Sequence, residues 1–187
     1  MPGLRVIAGK ARGRRLVPVP GEETRPIGDR VKEALFNILG ADIQGAAFLD
    51  LFAGTGGVGI EALSRGAERA LFVDTSARAV RTVRQNLEQT GLAAGATVLQ
   101  RDAFGLLAGA APEAFDYVYA APPQGRGLWR RALETLDRSQ AWLNPDAWVI
   151  AQIHPREYLT LELGALEQFD RRTYGNTALV FYRLPGA

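Results

Sequence analysis

The sequence predicts an α/β protein built on a mostly parallel, twisted sheet of seven strands, with helices on both faces. An antiparallel strand pair is expected at the C-terminal end and a small basic β-hairpin at the N-terminal end. Three observations carry this reading. Short apolar runs alternate with segments of helical periodicity from residue 46 to residue 153, the pattern of successive strand–helix–strand units. Those runs are nearly unbroken in hydrophobicity, as strands covered on both faces require. From the 150s to Leu184 the pattern changes to alternation with a period of two, which suits antiparallel strands.

Each element follows in order. Leu4–Ala8 and Arg15–Val19 read as short strands joined by a turn over Gly9–Arg14, and Thr24-Arg25-Pro26 breaks the chain. Asp29 reads as the N-cap of a helix to Leu39, with Val31, Leu35, Ile38 and Leu39 on one face. Ala46–Phe52 is a strand entering a glycine-rich loop, and Gly57–Arg65 a helix. Arg69–Val73 is the next strand, followed by a helix over Ser76–Gln89 that Gly91 ends. Thr97–Gln100 precedes Asp102 and a short helix. Phe115–Ala120 precedes a Pro122-Pro123 break and a helix over Leu128–Leu136, and Ala147–Ile153 follows. Beyond it, Leu159-Leu161-Leu163 and Leu179-Phe181 are the expected inward sets of the terminal pair.

Composition narrows the possible functions. A chain of 187 residues, 47% of them hydrophobic, buries about 70% of its unfolded surface as one domain. The sequence reads as a single domain over 1–187, with a basic appendage over 1–23 and the α/β core over 24–187. The absence of cysteine excludes disulfides, thiolate-bound zinc and a cysteine nucleophile. A single histidine, His154, argues against a His-built metal site or a Ser-His-Asp triad, so no metal is expected. No apolar run reaches the roughly 18 residues of a membrane span, and the first residues lack the pattern of a signal peptide. The expected setting is the cytoplasm, as a monomer away from membranes.

Charge is unevenly spread. The 22 basic and 20 acidic residues give a net +2. Residues 1–40 carry eight basic against four acidic side chains, and the remainder 14 against 16. Arg5, Lys10, Arg12, Arg14 and Arg15 stand in a stretch without a single acid. A basic arm on a near-neutral body points to a polyanion, and nucleic acid is the natural one. A solvated tail is the competing reading.

Leu49-Asp50-Leu51-Phe52-Ala53-Gly54-Thr55-Gly56-Gly57-Val58-Gly59 is the most informative stretch. A strand that runs through glycines into a helix lets a ligand approach bare backbone at a helix N-terminus. Gly54, Gly56 and Gly59, with Asp74 twenty residues after Gly54, also satisfy the dinucleotide fingerprint. Asp50 argues against that reading, because a carboxylate before the loop repels a pyrophosphate. The series Asp50, Asp74, Asp102, one acid after each of three strands, suits S-adenosylmethionine: an ammonium, two ribose hydroxyls and an adenine amine each need an acceptor. Phe52, Ala53, Thr55, Thr75 and Ala103 complete the candidate cofactor residues. The two later acids could instead be helix caps.

The segment Asp50-x-Phe52-x-Gly54-x-Gly56 resembles motif I of class I methyltransferases. More narrowly, the chain resembles the bacterial RsmD family. The resemblance rests on Arg5–Gly9 with Arg12–Arg14, on Arg25-Pro26-Ile27-Gly28-Asp29-Arg30-Val31 running on to Asn37, on Leu49–Gly56 and on Gly59–Ala67. It implies a Rossmann-like fold, S-adenosyl-L-methionine as cofactor, and methylation of guanine N2 in small-subunit (16S) ribosomal RNA, free or in an assembling subunit. It also adds Arg25 and Arg30 to the candidate RNA-binding residues Arg5, Lys10, Arg12, Arg14 and Arg15.

One segment departs from the family pattern. Where the family carries Asp-Pro-Pro-Tyr or Asp-Pro-Pro-Phe, this chain has Ala121-Pro122-Pro123-Gln124. In that motif the acid and a proline-held carbonyl accept hydrogen bonds from the base amine, and the ring stacks on the base. The missing acceptor is worth about 1–3 kcal/mol and the missing stack about 1–3 kcal/mol. Tyr119, Trp129 and Tyr174 are the rings available as substitutes. Pyrimidine C5 chemistry needs a cysteine, and a ribose-methylating Lys-Asp-Lys-Glu set needs catalytic lysines, whereas Lys10 and Lys32 both precede the glycine loop. An exocyclic base amine remains the best target: the resemblance implies guanine N2, with adenine N6 and a non-catalytic RNA-binding assembly factor as alternatives. His154 reads as a strand-end residue or as a proton acceptor.

Overall fold

A computed structural model describes residues 4–21 and 26–186, in two compact units, Met1–Asp102 and Ala103–Ala187. Arg25 lies outside the described residues. In the first unit, helix α1 spans Asp29–Leu39, strand β1 Ala47–Leu51, α2 Gly57–Ser64, β2 Arg69–Asp74, α3 Ala77–Thr90 and β3 Ala96–Gln100. The strands are parallel in the order β3-β2-β1, with Leu49 beside Leu71 and Leu71 beside Thr97. Every residue of β1 is buried, as its unbroken apolar run predicts. Gly59 lets α2 approach the sheet: a Cβ there would lie 2.4 Å from the Phe72 ring.

The second unit contains α4 over Ala103–Ala108, β4 over Phe115–Ala120, α5 over Leu128–Arg138, β5 over Leu143–Ile153, β6 over Glu167–Tyr174 and β7 over Thr177–Arg183. β4 and β5 are parallel, and β7 pairs antiparallel with both β5 and β6. β6 and β7 turn over Gly175-Asn176, where Gly175 takes the left-handed φ of 57° that such a hairpin demands.

Four details differ from the sequence reading. The expected N-terminal hairpin reduces to one antiparallel bridge, Arg5 to Arg15: the Val6 and Leu16 amides still bond across it to the Arg14 and Leu4 carbonyls, while the amides of Ile7, Ala8, Ala11 and Val17 turn to side chains of α2 and α3. The N-cap of α1 is Gly28, and Asp29 is the helix's first residue. β5 begins at Leu143, ahead of the predicted Ala147. Asn144-Pro145-Asp146 forms a bulge inside the strand, with Asp146 at φ 64°. Leu159-Leu161-Leu163 is not a strand. Leu159 is exposed, and the following chain hangs from Asp137, whose carboxylate accepts the amides of Gly164, Ala165 and Leu166.

Candidate functional site

The glycine loop leaves β1 through three left-handed residues at alternate positions, Phe52 at φ 59°, Gly54 at 56° and Gly56 at 79°. Phe52 is the informative one, since a bulky side chain in that region is strained and such strain collects at functional loops. Gly54 and Gly56 differ in their surroundings. A Cβ on Gly56 would press on Val83 and Ile60 at 3.2–3.3 Å, whereas a Cβ on Gly54 would meet nothing within 4 Å. Gly56 is thus packed inward, and the backbone at Gly54 faces open space that a ligand can enter. Thr55 is buried, and its hydroxyl accepts the Gly57 amide at 3.2 Å.

The three acids separate by environment. Asp50 is buried, and its Oδ2 accepts the Gly59 amide at 3.1 Å. Burial pushes its carboxyl well above the usual carboxylate range, against the Gly59 hydrogen bond, and the charge of Asp74 pushes the same way. Asp50 therefore braces the first turn of α2 from beneath the loop, a role that its position in the motif does not distinguish from holding an ammonium. Asp74 takes the Gly54 amide on Oδ2 and the Ser76 amide on Oδ1, both at 2.9 Å. It fixes the open end of the loop and the start of α3 together, while staying partly exposed. Ala53 continues the link, donating to the Val73 carbonyl at 2.9 Å. Asp102 is exposed after β3, with Thr75 exposed and Ala103 buried beside these acids in sequence.

The N-terminal arm is built into the first unit. Val6, Ala11, Leu16 and Val19 are buried, and Glu61 of α2 accepts the amides of Ile7 and Ala8 at 2.8 and 3.0 Å. Ser64 Oγ donates to Ala8 O and accepts the Ala11 amide. Lys32 Nζ donates to Arg5 O at 2.6 Å and lies 3.3 Å from Glu61. Gly9 comes so close to α2 that a Cβ would sit 1.9 Å from the Ser64 carbonyl oxygen. Farther along, Asn86 of α3 accepts the Val17 amide and donates to the carbonyls of Val17 and Thr55.

The basic side chains of the arm do not all stay free. Arg5 pairs with Asp29 at 2.9 Å, and Arg14 donates to the Gln89 carbonyl. Lys10, Arg12, Arg15 and Arg30 are exposed. Sequence reasoning missed Glu61, Lys32 and Asn86 as the residues that seat this arm. The available signal was a charge within the apolar α2 and an amide on the apolar face of α3, next to Val83 and Leu87.

In the second unit, Ala121 follows β4 half-buried, Pro122 is buried, and Pro123 and Gln124 are exposed. The loop is anchored from the end of β5, where Glu157 accepts the Gly125 amide at 2.7 Å, another residue the sequence did not single out. His154 Nδ1 accepts the Arg156 amide at 3.1 Å and caps a short turn, the local role weighed for it. The three candidate rings have other positions: Tyr119 is buried with its hydroxyl on Gln152, Trp129 is buried against Tyr158, and Tyr174 closes the β6–β7 hairpin. Among the described residues, no group of three or more His, Cys, Asp or Glu could hold a metal, and no helix is long and apolar enough to cross a membrane.

The chain is similar to known proteins along nearly all of its length. YlbH of Bacillus subtilis is 40% identical over 186 residues, covering 98% of this chain and 100% of the relative. Ribosomal RNA small subunit methyltransferase D of Haemophilus influenzae is 33% identical, covering 97% and 92% of the two chains. The solved structure of yhhF from Escherichia coli matches with a TM-score of 0.87 at 31% identity, covering 98% and 99%. An RNA methyltransferase from Salinibacter ruber in complex with S-adenosyl-L-homocysteine matches with a TM-score of 0.66 at 16% identity, covering 86% and 94%, and shows the fold alone. The fold is the Rossmann-like, seven-stranded methyltransferase fold expected from the sequence. The family model described as conserved hypothetical protein 95 matches residues 4–183, and with these relatives it establishes that the chain belongs to that family, the RsmD family.

Proposed function

We propose that this protein is an S-adenosylmethionine-dependent methyltransferase acting on the exocyclic N2 amine of a guanine in small-subunit ribosomal RNA, in the cytoplasm. The observation that carries the reading is the glycine loop. It is braced by Asp50 beneath and Asp74 at its rim, yet open at Gly54, in a chain of this family.

Bound S-adenosylmethionine supplies a sulfonium methyl group that a positioned amine can take by in-line displacement. The residues present fit that group. Backbone at Gly54 admits it closely, with Gly56 packed behind the loop, and Asp74, whose oxygens accept the Gly54 and Ser76 amides, keeps acceptor capacity for ribose hydroxyls. Asp102 and Ala103 are assigned to the adenine end, and Phe52, Ala53, Thr55 and Thr75 to the walls. Pro122 and Pro123 stiffen the backbone so that the carbonyl of the Pro-Pro element can accept a hydrogen bond from the base amine. Orientation of the amine, not a dedicated proton acceptor, is what this loop contributes, and the proton passes to water. Arg12 and Arg15, with Lys10 and Arg30, hold RNA phosphates. Arg5 and Arg14 spend part of their donor capacity on Asp29 and Gln89, and Arg25 keeps its RNA assignment from the sequence.

Calorimetry with S-adenosylmethionine and with NAD tests the cofactor, with about micromolar binding of the first and none of the second expected. Transfer of labelled methyl to small-subunit rRNA, followed by nucleoside analysis, tests the target. N2-methylguanosine is expected, and N6-methyladenosine would replace the guanine assignment. Arg12, Arg14 and Arg15 replaced together by alanine should flatten the salt dependence of RNA binding by about two units if all three contact phosphate, at roughly 0.7 per phosphate contact. An unaltered slope would return the arm to a solvated role.

Ala121 and Gln124 favour a second reading, a family member that binds cofactor and ribosomal RNA during subunit assembly with little transfer. Turnover on assembling subunits at a rate of minutes or faster would eliminate it.

A further inference from the structure

We infer that Asn86 is a positioning residue that couples the seating of RNA on the arm to the shape of the cofactor loop, an inference that rests on the function proposed above. Asn86 is fully buried on α3. Its Oδ1 accepts the Val17 amide at 2.8 Å, and its Nδ2 donates to the Val17 carbonyl at 3.1 Å and to the Thr55 carbonyl at 2.9 Å. The two protons of one NH2 group are therefore divided between the arm and the glycine loop.

The place on the loop matters. Thr55 stands between the left-handed residues Gly54 and Gly56, so the peptide that Asn86 holds is the one whose rotation would turn the loop's open face. The place on the arm matters equally. Val17 lies two residues beyond Arg15, and Arg14 reaches the Gln89 carbonyl on the same helix. Phosphates drawn to Arg12 and Arg15 pull on the strand that Asn86 grips. A carboxylate at position 86 would face two carbonyl oxygens, and a hydrocarbon would leave one buried and two part-buried backbone groups unmatched. Only a primary amide serves both sides.

Thermodynamic linkage makes the effect reciprocal: RNA changes cofactor affinity by the factor with which cofactor changes RNA affinity. For the wild-type protein we expect a factor of about ten, within the usual range of such couplings, measured by calorimetry with S-adenosylhomocysteine in the presence and absence of a small-subunit rRNA transcript. Asn86→Ala should bring that factor to about one, with the melting temperature read alongside. A purely structural role would lower the melting temperature and leave the factor intact, and that result would overturn the inference.

Hydrogen exchange on the wild-type protein gives a second measurement that survives a variant which does not fold. The rRNA transcript, added without cofactor, should slow exchange of the amides of Gly54, Gly56 and Gly57. Bound RNA with unaltered loop exchange would overturn the coupling alone. Failure of the wild-type protein to bind either the transcript or assembling small subunits would instead sink the proposed function.

Discussion

Replacing Glu61 by glutamine is the sharpest test of how the arm is held. Glu61 has no exposed surface. Its Oε1 accepts the Ile7 amide at 2.8 Å and faces Lys32 Nζ at 3.3 Å, while Oε2 accepts the Ala8 amide at 3.0 Å and pairs with Arg65 Nε at 2.8 Å. A glutamine offers one oxygen where four donors converge, and it turns an NH2 toward one of them. It also leaves the Lys32 ammonium, 4% exposed, without a counter-charge. Removing one partner of a buried pair costs about 3–5 kcal/mol. In a chain of this length that corresponds to a melting-temperature drop of roughly 6–20 °C, at about 2–4 °C per kcal/mol. Burial already pulls Lys32 below its ordinary 10.5, with Glu61 opposing. Loss of Glu61 lowers it further, so in alkali the unfolded chain binds more protons than the folded one. Stability then rises with pH in that window, and the deficit of Glu61→Gln should shrink as pH climbs toward 10.5. Calorimetric melts across that range provide the assay. A cost for Glu61→Gln below about 1 kcal/mol, the value of a solvated pair, would refute a dry, interlocked network.

Three other outcomes are expected. Gly59→Ala should cost about 1–3 kcal/mol by overpacking, since its Cβ would lie 2.4 Å from Phe72; Phe72→Leu should relieve it in urea melts. Asp50→Asn should be more stable than the wild type by a margin that grows as pH rises above 3.8. The wild-type carboxyl is raised in the folded state, so folding loses stability through that window, while asparagine still accepts the Gly59 amide; equal pH profiles would contradict this. Ala121→Asp with Gln124→Tyr should raise kcat on rRNA by about one decade for each restored interaction; an unaltered rate would mean that Ala121 and Gln124 do not meet the base.

What the sequence disclosed was local. The strand–glycine–helix stretch from Leu49 to Gly59 combines an apolar run, glycines and a helical period, each visible within a few residues, and the structure places them as read. Ser76 caps α3 and Gly91 ends it for the same reason. Long-range contacts leave no such trace. Nothing near Asn86 announces Val17, 69 residues away, and Lys32 reads as an ordinary helix-surface lysine until Glu61 arrives beside it. The misread segments have local causes too. Pro145 concealed a bulged strand, and Leu159-Leu161-Leu163 imitated a strand because period two is all a short leucine run can show. The glycine loop itself hid a distinction: spacing cannot separate Gly54, facing open space, from Gly56, pressed on Val83.

The way the arm is fastened has a consequence for biosynthesis. Apart from Lys32, its partners Glu61, Ser64 and Asn86 follow it in the chain by 53 to 69 residues. At about 5–20 residues per second of synthesis, the arm waits several seconds on the ribosome before the first of them emerges. During that interval Val6, Ala11, Leu16 and Val19 are uncovered, and Arg12, Arg14 and Arg15 face the ribosomal RNA of the machine that is making them. The segment proposed to grip ribosomal RNA in the finished protein therefore meets it first as a nascent chain, before it has any fold.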